Sequence, residues 1–123
     1  MAPILLHAYW KLVEMDLCMT RQEFAALYEK VRSCPIAPLS SAFSVTQICN
    51  AVDLACIWYP KEVLCLQRSA ATACLLRKYA IRAQLVIGSC QMPFRAHAWV
   101  EVDGRVVNDK PYTNEMYAVL DRC

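Results

Sequence analysis

The sequence predicts an α+β fold in which helices come first and an antiparallel sheet follows. Between residues 4 and 79, apolar side chains recur every three or four positions, which is the spacing of amphipathic helices. After residue 82 the pattern changes to β-branched runs and strict alternation, which are typical of strands. Helical and strand segments that are segregated along the chain favour α+β over an alternating α/β fold. At 123 residues we expect one compact domain overall, with a helical region at 1–59 and a core at 60–123.

The predicted helices are separated by recognisable boundaries. Thr20 and Glu23 have the spacing of a capping box, which places the start of a second helix there. A segment rich in proline and serine at 34–44 separates this helix from a third, which ends before Pro60. Helices are therefore predicted over residues 4–17, from the capping box to 32, over 45–57, and from 62 or 65 to 79.

Three strands are predicted after the helices. Residues 82–88 are aliphatic and β-branched, as in a buried strand, and residues 97–102 alternate between two faces. The Asp-Gly pair at 103–104 is a hairpin signal, so the return strand is predicted over 105–109. The last segment, 113–122, is predicted to be a short helix or an irregular tail.

Composition argues against several classes of protein. The two glycines, Gly88 and Gly104, are sixteen residues apart, so no glycine-rich loop for phosphates or dinucleotides is present and we expect no cofactor. Two histidines argue against a metal site. A net charge of +2 without a dense basic run argues against nucleic acid as a partner. Lys11, Glu14 and Asp16 interrupt the most apolar N-terminal stretch, which argues against a membrane span.

The eight cysteines raise the possibility of a disulfide framework. Three observations oppose it: the N-terminus does not resemble a secretory signal, the composition can form a core without cross-links, and Cys49, Cys56 and Cys74 lie within helical patterns. No Cys-x-x-Cys pair suggests a zinc or redox motif. We therefore expect a cytoplasmic protein whose thiols are mostly reduced and pack in the core.

Cys65, His97 and Asp109 form a candidate nucleophilic site. Cys65 lies near the start of the fourth helix, where the helix dipole favours a thiolate. His97 lies on a strand, and Asp109 follows twelve residues later on the neighbouring strand. In such an arrangement the imidazole takes the thiol proton and the carboxylate orients the ring. Residue types and spacing alone leave satisfied core residues as the more frequent explanation.

The register of the hairpin decides whether Asp109 can reach His97. With a two-residue turn, Val102 faces Arg105 and Asp109 points to the other side of the sheet. With a three-residue loop that has Gly104 as a bulge with positive φ, His97 lies opposite Asp109 on the same face. The triad hypothesis therefore predicts the bulged turn.

Three segments resemble the lasso-peptide leader peptidases, which form the protease half of a split maturation protein. They are CLQRS at 65–69, LVIG at 85–88 and FRAHAWVEVDGRVVND at 94–109. These peptidases belong to the transglutaminase-like branch of the papain-like cysteine proteases. The resemblance therefore implies a core in which the catalytic helix packs on an antiparallel sheet. It covers roughly residues 60–112, and the HAWVE run and the ND ending make it specific.

The resemblance implies a cysteine peptidase that separates the leader from the core of a ribosomally made lasso-peptide precursor. Cys65 is then the nucleophile, His97 the general base and later the acid, and Asp109 the orienting carboxylate. The family commonly favours threonine as the penultimate leader residue, so a small pocket near Cys65 is expected. The resemblance also implies a bacterial cytoplasmic setting.

The resemblance further implies partners for this chain. In this family a small recognition domain binds the leader and is either fused or separate. Residues 1–60 contain no glycine for the turns of such a domain, so we expect a separate leader-recognition protein. An ATP-dependent lasso cyclase would use the amine that cleavage releases. The hydrophobic fraction is 58%, against about 45–50% in ordinary domains, and fits an exposed docking face for leader and partner.

Three residues near the triad are candidates for substrate binding. Trp99 shares the face of His97, where it is expected to shield the ion pair, to line the cleft or to pack in the core. Arg68 and Arg95 flank the site and are candidates for contacting peptide carbonyls or acidic leader residues, although a solvated position is the more frequent outcome for such side chains.

Four other residues are weighed for roles at or near the site. Gln67 or Gln91 is a candidate oxyanion donor beside the backbone N–H of Cys65. Cys90 is the rival nucleophile, predicted to lie on a loop without a helix dipole. His7, on the first helix, is expected to be structural or exposed.

Two other functions stay open at this point. The same triad could transfer the acyl group to an amine, as transglutaminases do, because water and amines compete for one acyl-enzyme. A peptide-binding scaffold with a vestigial triad is the non-enzymatic alternative. The presence of all three residue types in one plausible register argues against the scaffold.

Overall fold

A computed structural model describes residues 2–21, 23–38, 43–91 and 93–123 of the chain. The four long helices of these residues precede the strands, and one short helix lies between the last two strands, so the predicted α+β class is confirmed. The helices are α1 (Ala2–Arg21), α2 (Phe24–Arg32), α3 (Val45–Trp58), α4 (Cys65–Lys78) and the short α5 (Thr113–Met116). The strands are β1 (Ala83–Cys90), β2 (Arg95–Val102), β3 (Arg105–Val106) and β4 (Ala118–Arg122).

The four strands form one antiparallel sheet in the order β3-β2-β1-β4. Helix α4 lies between this sheet and the other helices, and every residue from 69 to 77 is buried. Small side chains at Ala70, Ala71 and Ala73 let the neighbouring elements approach the helix closely. One face of β1 and β2, including Leu85 and Val100, joins the same core. The N-terminus of α4 is thereby held at the sheet.

The boundary between the first two helices differs from the prediction. Helix α1 continues through Thr20, and α2 begins after Glu23 without a side-chain cap, so the predicted capping box there is wrong. Glu23 has φ 127°, and its N–H bonds the carbonyl of Cys18. A capping box does form at the start of α3, between Ser44 and Gln47. The spacing of a capping box also occurs where no helix begins, and packing of the two helices against the core decides where each one ends.

The C-terminal segment is the largest departure from the predicted layout. Residues 113–116 form a helical turn, but 118–122 form β4, which pairs with β1. All five residues of β4 are exposed, so no alternation of apolar and polar residues marks this strand in the sequence. It forms because the edge of β1 offers unpaired backbone groups. The return strand is shorter than predicted and covers only 105–106.

The cysteines are not all free. Cys34, in the segment after α2, is joined by a disulfide to Cys74 on α4. The expectation that Cys74 is a reduced packing residue is therefore wrong, because the chain after α2 runs back along α4 and brings the two Cα atoms to 5.8 Å. A pairing across 40 residues leaves no local signal in the sequence. Six other cysteines of the described part are free, and Cys49 is the buried one among them.

The described ranges contain neither a helix able to cross a membrane nor a cluster of metal-ligating side chains. Within 2–21, 23–38, 43–91 and 93–123, none of the helices has the length and apolar character needed to cross a membrane. Over the same ranges, no group of three or more His, Cys, Asp or Glu side chains is arranged to hold a metal ion.

Candidate active site

Cys65 is the first residue of α4. Leu64 before it is extended, and its side chain does not cap the helix, so backbone N–H groups of the first turn point outward without a side-chain acceptor. The thiol is partly exposed and lines an open cavity of about 170 Å³. The other lining residues are Phe24, Leu66, Ile87, Ala96, His97 and Ala98. The thiol therefore lies in a small and mainly apolar depression at the positive end of a helix.

His97 and Asp109 form a close ion-pair geometry beside this cavity. Nε2 of His97 lies 2.6 Å from Oδ2 of Asp109, and both side chains are about one-fifth exposed. Oδ1 of the same carboxylate accepts the backbone N–H of Lys110 at 2.8 Å. With Nε2–H donating to a carboxylate, Nδ1 is the nitrogen of the neutral ring that can accept a proton.

The electrostatics keep the Asp109 carboxyl ionised. Burial raises its pKa, but hydrogen bonds from His97 and from the Lys110 backbone act in the opposite direction. The positive charges of His97 and Arg68 add to this lowering, and the pKa of Asp109 lies below its ordinary value. An ionised carboxylate at this position can orient the imidazole and stabilise its cation.

Asp109 reaches His97 by a route that the hairpin register did not predict. The turn has two residues, Asp103 with φ 53° and Gly104 with φ 76°, and Val102 pairs with Arg105. Positive φ at Gly104 is confirmed, whereas the three-residue bulged loop is wrong.

With this turn, Asp109 would point away from His97 only if β3 continued as a regular strand to residue 109. Strand β3 ends at Val106, and residues 108 and 109 form a bend. The side chain of Asn108, rather than a backbone carbonyl, accepts the N–H of Val100 at 2.8 Å. Beyond this point the strict alternation of a strand no longer governs side-chain direction. The bend therefore lets Asp109 turn to the imidazole.

Cys65 and His97 line the same cavity, but the two side chains are not hydrogen-bonded to each other in the described part of the chain. Hydrogen bonds between a catalytic base and its nucleophile are often long in structures without substrate.

An aromatic layer supports the imidazole. The ring of Tyr117 stacks on His97 with centroids 5.1 Å apart, and the Trp99 ring lies 6.0 Å from His97 at an angle of 28°. Trp99 is completely buried, and its Nε1–H donates to Glu101 at 2.9 Å. It therefore packs in the core beside the imidazole, out of reach of a bound peptide, so its expected place in the cleft is corrected.

Gly88 provides the space for this layer. It lies opposite His97 on the adjacent strand, and a Cβ added to it would stand 2.6 Å from Cη2 of Trp99. The same Cβ would stand 3.0 Å from Cβ of Tyr117. Sequence analysis assigned no role to Tyr117, because it lies in the segment whose strand was not predicted.

The two arginine candidates occupy different environments. Arg68, one turn after Cys65, pairs with Asp53 of α3 at 3.4 Å and is partly exposed. Its charge also lowers the pKa of Asp109. Arg95 begins β2 and is exposed. Both stay candidates for contacts with a peptide.

The remaining candidates lie away from the thiol. Gln67 lines a different small cavity, where its buried Oε1 has no hydrogen-bond partner, and Gln91 is exposed. Neither is among the residues that line the Cys65 cavity. Cys90 is the last residue of β1 rather than part of a loop, and its thiol faces the carbonyl of Pro93 at 3.9 Å.

His7 has a structural position. Its Nδ1 lies 2.7 Å from the hydroxyl of Tyr79, which connects α1 to the end of α4. Burial and the positive charges of Lys78 and Lys11 lower the pKa of His7. A neutral ring that forms a hydrogen bond between two helices agrees with the structural expectation.

The Cys65 thiol at the N-terminus of α4 and the His97–Asp109 pair beside its cavity are accompanied by a family match. Residues 10–122 match the model of the transglutaminase-like superfamily, and the chain belongs to this superfamily. The implied transglutaminase-like core is thereby confirmed. The microcin J25-processing protein McjB of Escherichia coli is 43% identical over 56 residues, which are 46% of this chain and 27% of that protein. The match therefore spans about a quarter of the relative. No solved structure matches the chain.

Proposed function

We propose that this protein is a cysteine peptidase that removes the leader from a lasso-peptide precursor. The single observation that supports this most strongly is the 2.6 Å pair of His97 and Asp109 at the cavity that Cys65 lines. The carboxylate fixes the proton on Nε2 and leaves Nδ1 as the base. The thiol is at a helix N-terminus, where a thiolate is stabilised.

The proposed reaction begins with transfer of the Cys65 thiol proton to Nδ1 of His97. The sulfur then bonds to the scissile carbonyl carbon, and negative charge moves to the carbonyl oxygen beside the free N–H groups of the first turn of α4. The C–N bond breaks as the amine takes the proton from the imidazolium, which leaves the leader as a thioester. Water attacks this thioester, the imidazole takes a proton from the water, and the sulfur leaves and regains a proton.

The substrate class rests on two supports. The segments at 65–69, 85–88 and 94–109 resemble lasso-peptide leader peptidases, and the named relative processes microcin J25. The small cavity suits a short side chain next to the scissile bond, such as the threonine that this family favours at the penultimate leader position. Arg68 and Arg95 are proposed to contact the peptide at the edge of the site.

We propose that this protein acts with a separate leader-recognition protein and supplies the free amine to a lasso cyclase. Large apolar side chains are exposed on the described helices, as expected of a docking face. They include Leu6 and Trp10 on α1 and Ile57 and Trp58 at the end of α3. The proposed setting is the bacterial cytoplasm.

We also propose that the two regions of the chain have different roles. The triad residues all lie in the core at 60–123, whereas the helical region at 1–59 contributes Phe24 to the wall of the cavity. The two regions are proposed to act as one compact unit, with the helical region shaping access to the thiol.

The test uses a precursor peptide with threonine at the penultimate leader position, together with the recognition protein of the same pathway. Wild type is expected to release the leader as a free carboxylic acid, identified by mass. Cys65→Ala is expected to abolish release, whereas the matched control Cys90→Ala retains most of the activity. Release by Cys65→Ala would contradict the proposed nucleophile. A leader that carries an amine adduct would indicate acyl transfer, and binding without any product would indicate a scaffold.

A further inference from the structure

A buried cluster of polar groups joins the elements that carry the triad. Ser69 is fully buried on α4, and its hydroxyl donates to the carbonyl of Ala98 on β2 at 3.0 Å. Nδ2 of Asn108 donates to the same hydroxyl oxygen at 2.9 Å, and Oδ1 of Asn108 accepts the N–H of Val100 at 2.8 Å. Asn108 is 8% exposed. The cluster therefore connects the helix, the strand and the bend through three hydrogen bonds.

Each member of the cluster is next to a triad residue in the chain. Ser69 lies one helical turn after Cys65, Ala98 directly follows His97, and Asn108 directly precedes Asp109. If any of these three hydrogen bonds changed its geometry, the triad residue beside it in the chain would move as well. The cluster consequently sets how the thiol, the imidazole and the carboxylate lie relative to one another.

Asn108 also causes the bend that brings Asp109 to His97. Val107 donates its N–H to the carbonyl of Val100 at 3.0 Å, which is half of an antiparallel hydrogen-bonded pair. The other half would be an N–H of Val100 bonded to the carbonyl of Val107. Oδ1 of Asn108 accepts that N–H instead. The side chain thus replaces the backbone in the ladder, and the backbone is free to turn away from the strand direction.

The Ser69 hydroxyl, the Ala98 carbonyl and the Asn108 amide each have a hydrogen-bond partner within this cluster. The Ser69 hydroxyl has one proton, which goes to Ala98, and its oxygen accepts from Asn108. Replacing Ser69 by alanine would leave the Ala98 carbonyl and the Asn108 amide without these partners in a buried position. Matched donors and acceptors in a low-dielectric interior fix one geometry, because any alternative breaks a bond that water cannot replace.

We propose that Ser69 and Asn108 are positioning residues that hold Cys65, His97 and Asp109 in reactive alignment. They do not touch the substrate, and they act through the triad residues beside them. This proposal rests on the proposed peptidase function for its kinetic test, and the alkylation test below is independent of any peptide substrate.

The experiment compares Ser69→Ala and Asn108→Ala with a matched control, Thr72→Val. Thr72 is also buried on α4, but its hydroxyl donates to the Arg68 carbonyl within its own helix. All variants are measured for thermal unfolding, for kcat and KM on the precursor, and for the rate at which iodoacetamide alkylates Cys65 at pH 6 and pH 9.5. Ser69→Ala removes one oxygen atom, so it carries the test if Asn108→Ala does not fold.

The expected result is a fall in kcat of about tenfold to a hundredfold in both variants, with KM changed less than threefold, because misplacement by about 1 Å is enough for such a loss. At pH 6 an ordinary thiol is protonated, so alkylation of Cys65 depends on a base that takes its proton. In both variants we expect this reaction to slow at least tenfold. At pH 9.5, where ordinary thiols ionise, its rate stays within about twofold of wild type. Thr72→Val changes neither kcat nor the alkylation rates.

Unchanged alkylation at pH 6 in folded Ser69→Ala would overturn the proposal and leave the cluster with a role in stability only. An equal effect of Thr72→Val would do the same, because the loss would then follow from any buried hydroxyl on α4. If wild type fails to cleave the precursor but the variants still lose reactivity at pH 6, the positioning role stands and the proposed function fails.

Discussion

Replacing Gly88 by alanine tests whether the aromatic layer beside His97 positions the imidazole. The new Cβ would stand 2.6 Å and 2.8 Å from two ring atoms of Trp99 and 3.0 Å from Cβ of Tyr117. Real Cβ atoms do not approach carbon atoms this closely, so at least one ring must move. Trp99 has no exposed surface to move into, and its movement or that of Tyr117 shifts the surface on which the His97 ring stacks.

The expected loss of stability follows from two opposing effects. Overpacking of a core position costs about 1–3 kcal/mol. Replacing glycine in a strand returns about 0.5–1 kcal/mol, because the unfolded chain loses conformational freedom. Taken at the middle of these ranges, the net destabilisation of Gly88→Ala is about 1.3 kcal/mol, or a fall in Tm of about 5 °C for a domain of this size.

The assay pairs Gly88→Ala with Gly104→Ala, the other glycine of the chain. Gly104 has φ 76° and no atom within 4 Å of an added Cβ, so alanine there costs about 1 kcal/mol through backbone strain alone. Both variants are measured for Tm and for cleavage of the precursor. We expect kcat/KM to fall about tenfold or more in Gly88→Ala and to stay near wild type in Gly104→Ala. Trp99→Phe in the Gly88→Ala background should restore part of the loss, since it removes the two clashing ring atoms.

Two results would refute this reasoning. A Tm of Gly88→Ala within 1 °C of wild type would show that the layer accommodates a methyl group, and the packing argument would be wrong. A lowered Tm with cleavage equal to that of Gly104→Ala would show that the layer stabilises the fold without positioning the imidazole.

Three further predictions concern the carboxylate, the thiols and the disulfide. Asp109→Asn should lower kcat by about tenfold to a hundredfold in single-turnover cleavage, because an amide oxygen accepts the Nε2–H but does not stabilise the positive charge of the imidazolium. The folded-state pKa of Asp109 is lowered, so its ionised form stabilises the fold above about pH 4 and this stability is lost as the pH falls through the lowered pKa. The variant should flatten that part of the acid-unfolding curve. Iodoacetamide at pH 8 should modify Cys65 long before Cys49, whose pKa is raised to about 11 by burial, as read by peptide mapping. Reducing the Cys34–Cys74 disulfide should lower the free energy of unfolding by about 4 kcal/mol, measured in urea, since it closes a loop of 40 residues.

Each of these predictions has a result that contradicts it. Cleavage by Asp109→Asn within tenfold of wild type would remove the carboxylate from the mechanism. Equal labelling rates of Cys65 and Cys49 in the native protein would contradict the burial of Cys49. Identical urea midpoints with and without reductant would show that the disulfide constrains nothing in the unfolded chain.

The fold could be predicted where burial of one face makes apolar residues recur at a regular spacing along the sequence. Helices α1 and α3 have one face in the core, so their buried residues recur every three or four positions. Strand β4 could not be predicted, because all of its residues are exposed and its place in the sheet is set by backbone pairing with β1. The end of α1 was misjudged for a related reason, since packing rather than a local cap determines it.

The candidate site was predicted by residue type, but its geometry was not. Cys65, His97 and Asp109 were selected from spacing and from resemblance, and the structure places all three around one cavity and its adjoining ion pair. The route of Asp109 to the imidazole was predicted incorrectly. Tyr117 and Ser69 were missed because stacking and buried hydrogen bonds between distant segments have no signature in a single sequence.

The sequence by itself determined the order of helices and strands and the chemistry available at 65, 97 and 109, because local periodicity and residue type are properties of neighbours in the chain. Only the tertiary structure decided the bend at Asn108, the aromatic layer over Gly88 and the Cys34–Cys74 disulfide. Each of these depends on contacts between segments far apart in the chain, and their geometry is fixed by packing and by the need to satisfy buried polar groups.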